Sequence, residues 1–400
     1  MSDYMEIVLA IKDVLDDKTL EKISNFSAEN PIQCAKMYGA SEKSLKLMEL
    51  LKNNHPEFNR KFIRFGYSTG EISPYLLAKW LMLRARVVGA ENAYQSFLSL
   101  ESNNVVYGYI VTLIRGLGFN GCIEFFNGIK LVDYSNLPNT ILKNLEIKIN
   151  PDNERFYPPY TYLIQPLCNN FFDVDYPFSN DELNFYVEYE LLIVNYLSLF
   201  ADEYAPTVDR RWYVLNDDVP MSGVCDNQSN YYLEVEPPKI HSNWNDIDII
   251  EIESLFIKYI EISADLRLSI DISISRMVKA MNTWNNVNKA IDLGIALEAA
   301  FIHEESTENK SSQVRKTGAQ LVKKFDGYDV KSLLYTVYTI RSDAVHRGKV
   351  QNEYKLDNVG FKSTMTLLDL GIKVLKSCIV EIINRNGVVP RAKYTQKNRE

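Results

Sequence analysis

The pattern of apolar and polar positions divides the chain into two helical ends around a β-rich middle. Leu45, Leu47, Met48, Leu50 and Leu51 recur at helical spacing in a lysine-studded segment, and Ser41 precedes them as an N-cap. Residues 73–100 read as one further helix, with Pro74 in its first turn. From about Asn103 the residues change character. The segment from Val105 to Val111 reads as a strand. Cys122 to Phe126 and Ile129 to Val132 flank Asn127-Gly128, a pair that accepts the positive φ angles of a two-residue hairpin turn. Leu145 to Ile149, Arg211 to Leu215 and Tyr231 to Val235 are further candidate strands. One helix, 181–204, interrupts them, and Pro158-Pro159 and Pro237-Pro238 punctuate the region.

Beyond Pro238 the helical period returns, with helices expected at 246–262, 265–284, 288–303, 312–325, 329–345 and 358–383. The expected fold class is therefore α+β. An N-terminal helical region (1–102) and a mixed α+β region (103–240) precede an all-α helical bundle (245–387). A polar, basic tail (388–400) is expected to be disordered.

Composition narrows the function. Apolar residues make up 46% of the chain, which excludes wholesale disorder. The net charge of -8 excludes an electrostatic grip on nucleic acid by the whole protein, so any such binding needs a local patch. Cys34, Cys122, Cys168, Cys225 and Cys378 form no CxxC and read as reduced thiols. Met1 to Glu6 is acidic and lacks an apolar signal core, and no apolar run approaches the roughly 20 residues that span a bilayer. The expected location is the cytoplasm, with no membrane contact, cofactor or metal.

The candidate chemistry lies at Arg341-Ser342-Asp343-Ala344-Val345-His346, in a chain with only four histidines. Histidine moves protons near neutral pH and arginine holds a negative phosphate, so the pair suffices for metal-free chemistry on a phosphodiester. Asp329 is the expected N-cap of this helix and Gly348 its C′ residue. On a helical wheel Leu334, Val337, Arg341 and Ala344 lie within about 40° of Val330, which puts Arg341 in an apolar stripe. A buried guanidinium there needs a partner. Glu298, the lone charge in the apolar run Gly294 to Ile302, is the candidate; the alternative is that it faces solvent at the edge of its helix. His346 lies about 140° from Arg341 around an ideal helix. The two meet only if the last turn unwinds or if two copies of the helix combine. A histidine that caps the last carbonyls is the structural alternative. Ser342 and Asp343 are polar enough to orient the ring or a substrate.

The segment Tyr335 to Gly348 resembles the terminal Arg–His motif of HEPN domains, specifically the Apea-like branch. The run Leu293-Gly294-Ile295-Ala296-Leu297-Glu298 and the long surrounding helices are similar to the same pattern, over about a third of the chain. The resemblance implies an HEPN-type bundle and a homodimer that joins two motifs across a two-fold axis. It also implies a metal-independent RNA endonuclease of the kind common in toxin and anti-phage systems. In it His346 would serve as general acid or base, and Arg341 would stabilise the charge on the phosphoryl oxygens. The preceding regions would then be a sensor or regulator, answering to a regulatory protein or a phage-derived trigger. The alternative is a non-catalytic HEPN module for dimerisation or RNA binding.

Lys310, Arg315, Lys316, Lys323 and Lys324 precede the motif helix, and Arg347 and Lys349 follow it. They form a candidate RNA-backbone patch, or else a solvated face. Other signals are weaker. Gly116 to Gly121 matches G-x-G-x-x-G, but a hairpin follows where a dinucleotide site needs a helix. His303-Glu304-Glu305 lacks a second histidine nearby. His55 and His241, each close to proline, read as loop residues. The aromatic residues Phe171, Phe172, Tyr176 and Phe178 read as a core or inter-domain cluster.

Overall fold

The computed structural model describes residues 2–17, 41–58, 61–65, 68–118, 120–139, 141–142, 161–173, 181–202, 204–216, 219–220, 242–243, 249–302, 309–357 and 359–390. The chain forms two compact units. The first comprises 1–113, 124–187 and 209–231, and the second 114–123, 188–208 and 232–400. Helix and strand both contribute, giving the expected α+β class. The strands expected at Leu145 to Ile149 and Tyr231 to Val235, both proline pairs, His241, His303-Glu304-Glu305, Tyr176, Phe178, Cys34, Cys225 and tail residues 391–400 lie outside the described residues.

In the first unit, helices α1 (Ser2–Leu15), α2 (Glu42–Asn54), α3 (Pro74–Val88) and α4 (Ala90–Asn103) pack together. Ser41 caps α2 by accepting from the Ser44 amide at 3.4 Å, and Ser73 caps α3 by accepting from the Leu76 amide at 3.3 Å. The single helix expected over 73–100 is broken at Gly89, whose φ of 85° and ψ of 157° end one helix and start the next. Only glycine adopts such a conformation without strain. His55 follows α2 as its C-cap, outside the helix as expected, but it is buried: it is 8% exposed and holds both Glu101 (2.9 Å) and the Tyr94 hydroxyl (2.9 Å). Burial, with Glu101 close by, pushes the Tyr94 phenol up to about 12.

A five-stranded sheet runs in the order β5 (Cys122–Glu124), β6 (Lys130–Asp133), β7 (Thr161–Asn170), β3 (Val105–Arg115) and β9 (Thr207–Leu215). Alternation along the strands sends Val106, Ile110, Leu167, Tyr213 and Leu215 into the core shared with the helices. Val111, Leu113, Tyr162, Ile164, Trp212 and Val214 form a second cluster. The β5–β6 hairpin turns at Asn127 (φ 55°) and Gly128 (φ 73°), as the sequence predicts. A separate small sheet has the order β2 (Ser68–Glu71), β1 (Lys61–Phe65), β8 (Phe172–Asp173). Phe171 is core, packed edge-on against Phe58.

The second unit contains the end of α5 (Asp181–Leu197) and helices α6 (Ile249–Glu261), α7 (Ala264–Met281), α8 (Asn286–Phe301), α9 (Lys310–Leu321), α10 (Val330–Arg347) and α11 (Thr364–Asn384). A short strand pair, β4 (Leu117–Gly118) with β10 (Ser242–Asn243), belongs here too. No helix follows Gly116 to Gly121, so the structure gives a nucleotide phosphate no helix N-terminus there. The helix expected at 312–325 stops at Leu321, and the ribbon β11 (Lys324–Phe325) and β12 (Tyr328–Asp329) follows. The helix expected at 358–383 starts only at Thr364. The hairpin β13 (Glu353–Leu356) and β14 (Gly360–Ser363) precedes it, burying Tyr354 and Leu356.

Cys122, Cys168 and Cys378 form no disulfide among the described residues; burial pushes the Cys378 thiol up to about 12, so it stays protonated and inert. Among the described residues no helix is long and apolar enough to cross a membrane. Lys376 on α11 is buried and donates its Nζ proton to the Ala201 carbonyl. Burial pushes its ammonium down to about 7; Asp202 opposes this and Lys373 adds to it. Above that pH the native state releases the proton, while the unfolded lysine keeps it to about 10.4. Native stability therefore rises with pH through this window. Lys376→Met is expected to raise the thermal midpoint at pH 7, with the gain shrinking by pH 9. A gain independent of pH contradicts this account.

Candidate functional site

Helix α10 carries the motif. Asp329 caps it by accepting from the Ser332 amide at 2.9 Å, and Gly348 ends it in the left-handed region at φ 62°. The Gly348 amide donates to the Ala344 carbonyl at 3.1 Å. The last turn is thus regular helix through Arg347 and does not unwind. Val330, Leu333, Leu334, Thr336, Val337, Ile340 and Ala344 are buried, a wider face than one stripe, because α8, α9 and α11 all pack on this helix. Arg341 lies at the edge of that face, 21% exposed, rather than in its middle.

Glu298 on α8 meets Arg341. Its Oε1 lies 2.9 Å from Nη2 of Arg341 and accepts from the Tyr338 hydroxyl at 2.7 Å. Its Oε2 accepts from Lys310 Nζ at 3.0 Å. Burial alone would push this carboxyl up. Tyr338, Lys310 and Arg341 together outweigh it and hold the group below its ordinary range. The guanidinium carbon also sits 5.4 Å from the Tyr338 ring centroid, within cation–π range. Space for Arg341 comes from Gly294, one turn before Glu298 on α8. A Cβ there would stand 2.2 Å from Arg341 Cγ. The Arg341 Nε is buried and has no hydrogen-bond partner among the described residues, beside the same glycine.

Asp343 turns to the hairpin. Its Oδ2 accepts from the Tyr354 hydroxyl at 2.7 Å, and its Oδ1 is 3.4 Å from Arg347. It therefore anchors β13 and is not free to orient the imidazole. Ser342 is half-buried with no side-chain hydrogen bond among the described residues. His346 is exposed and its ring caps no carbonyl among the described residues. The structure brings Glu298 and Arg341 together and leaves His346 apart from them, about 140° around the same helix.

The basic residues do not pool at one point. Lys310 is engaged with Glu298. Arg315 donates from Nε to the Ser311 carbonyl at 3.1 Å and stacks over Tyr335 at 4.9 Å. Lys316 is half-buried, and Lys323 and Lys324 are exposed near the start of α10. Arg347 leans on Asp343, and Lys349 is exposed past the helix end. Val330 and Arg347 are roughly 25 Å apart at 1.5 Å per residue, so these side chains flank both ends of α10. Among the described residues no three His, Cys, Asp or Glu side chains gather as metal ligands.

No family model, curated protein or solved structure matches this chain. The functional reading therefore rests on geometry and chemistry. Sequence reasoning missed Tyr338, Gly294 and Tyr354. Two of them had a signal. Tyr338 is three residues before Arg341, and Gly294 is four before Glu298, so each shares a helix face with its neighbour in the network.

The Gly294 contact gives a direct test. Gly294→Ala is expected to destabilise the fold by about 1–3 kcal/mol through overpacking against Arg341, measured by denaturant unfolding. In an Arg341→Ala background the clash disappears. The same change should then be neutral or stabilising, because alanine favours a helix over glycine by about 1 kcal/mol. Equal costs in both backgrounds would rule the contact out.

Proposed function

We propose that this protein is a metal-independent RNA endonuclease whose reacting centre is completed by a second copy of the chain. The observation that carries this reading is the unbroken last turn of α10. With no unwinding, Arg341 and His346 stay about 140° and roughly 7.5 Å apart on one helix and do not converge on one phosphodiester. A two-fold pairing that joins two α10 ends supplies the missing partner. His346 is exposed and uncommitted, as a residue offered to another chain must be. Val345 beside it is apolar and 45% exposed, so the same turn offers contact surface.

In this reading His346 removes the proton from a ribose 2′-hydroxyl. The 2′-oxygen attacks the adjacent phosphorus, the bond to the 5′-oxygen breaks, and that oxygen takes up the proton that the imidazolium returns. The products are a 2′,3′-cyclic phosphate and a 5′-hydroxyl, so RNA rather than DNA is the substrate. Arg341 neutralises charge on the phosphoryl oxygens, held in orientation by Glu298 and Tyr338. Lys323, Lys324 and Lys349 are the exposed cations that track the backbone. The N-terminal region, 1–240, acts as sensor or regulator, in a toxin or anti-phage role set off by a protein or phage-derived trigger.

A second reading is favoured by one observation: Arg341 is already neutralised by Glu298. In that reading the second unit is an HEPN-type module for dimerisation or RNA binding without catalysis. The two separate in one assay. Purified protein is incubated with RNA in EDTA beside His346→Ala and Arg341→Ala. The endonuclease reading expects cleavage by the wild type and a loss of at least 100-fold in each variant, the usual scale of acid–base and electrostatic contributions. RNA that is bound but uncut by all three chains favours the module.

A further inference from the structure

Within the second unit, α5, α6 and α7 enclose an open groove of about 610 Å³, far from the motif in sequence and unused by the chemistry above. That volume is in the range of small-molecule sites. Two helical stripes line it. On α5 these are Glu188, Leu191, Leu192 and Asn195; on α7 they are Ile272, Ser275, Arg276 and Lys279. Both follow the i, i+3, i+4, i+7 spacing of one helix face. Leu191 and Ile272 are 40% and 44% exposed, an apolar surface turned to solvent inside a concavity.

The polar groups are of two kinds. Some are already satisfied. Asp271 accepts a hydrogen bond from the Tyr259 hydroxyl and lies 3.8 Å from Arg267. Arg276 is fixed by Asp292 on α8 at 3.0 Å. A guanidinium held on one edge keeps its other donors in a set orientation for an anion. The remainder are uncommitted. Glu188 on one wall and Lys279 on the other are exposed and make no ion pair, with each other or with any described residue. Opposite charges that line one groove without meeting leave room for a ligand carrying the complementary pair.

We propose that this groove binds a short apolar zwitterion, the size of a tripeptide with both ends free. The ammonium end lies on Glu188, the carboxylate end on Lys279 and Arg276, and the apolar body on Leu191, Leu192 and Ile272. Ser275 and Asn195 supply neutral hydrogen bonds to the peptide groups of the ligand.

The test uses titration calorimetry on the full chain with three probes: Leu-Phe-Leu, its N-acetyl form and its C-terminal amide. The free tripeptide is expected to bind, and each blocked form to bind about tenfold more weakly, the effect of losing one charge-assisted contact. Glu188→Gln should abolish the preference for a free amine, and Lys279→Met should reduce the preference for a free carboxylate to the part that Arg276 supports. Both residues are exposed, so both variants are expected to melt like the wild type. Absence of binding by the free tripeptide at millimolar concentration overturns the proposal. So does equal affinity for all three probes, or preferences that both substitutions leave unchanged.

Discussion

Close approach of three helices to α10 is the constraint on which the second unit depends. Each of the three offers a glycine at the contact. A Cβ at Gly294 of α8 would lie 2.2 Å from Arg341 Cγ, and one at Gly318 of α9 would lie 2.3 Å from Leu334 Cδ1. At Gly371 of α11 the distance to Val337 Cγ2 would be 3.0 Å. Side chains of α10 occupy the space that the missing methyl groups vacate. Packing this tight opposes sliding of α10, because Arg341, Leu334 and Val337 would each leave the space that its glycine provides. The orientation of Arg341 is therefore a property of the bundle and not of a local loop.

Electrostatics follow from that packing. The helix face that buries Ile340 and Ala344 carries Arg341 to its edge, where desolvation is partial and a carboxylate is within reach. Glu298 would be costly alone in the apolar run of α8. Three donors make it an anion below its ordinary range, and it in turn holds the guanidinium. The same helix releases His346 into solvent two residues before the Gly348 cap. One rigid helix thus carries an anchored cation on its inner edge and an open imidazole at its end. The paired-chain endonuclease proposed above would use both.

Much of this was legible in the sequence where local chemistry dictates structure. Ser41 and Asp329 cap the helices expected of them, and Asn127-Gly128 makes its hairpin. The Glu298–Arg341 pair was legible because each is a lone charge among apolar neighbours. What failed depended on single residues or on distant packing. Gly89 breaks a continuous apolar pattern by backbone geometry alone. The β13–β14 hairpin has no counterpart among the expected elements, and its second strand falls inside the helix expected from 358, because its inward residues Tyr354 and Leu356 need α10 beneath them. The burial of His55 was hidden because its partners Glu101 and Tyr94 stand far off in sequence. The two charges in the α5–α7 groove carried no signal at all, since pairing and its absence are seen only in three dimensions.

The central claim is that one reacting centre takes Arg341 from one copy and His346 from another. The most direct measurement mixes two inactive chains, Arg341→Ala and His346→Ala, under conditions that let subunits exchange, and follows RNA cleavage in EDTA. The mixed pair contains one intact Arg–His combination across its interface. The account predicts that activity returns on mixing, toward about a quarter of the wild-type rate if half of the pairs are mixed and each has one working centre of two. Two chains that stay as inactive together as apart would contradict it.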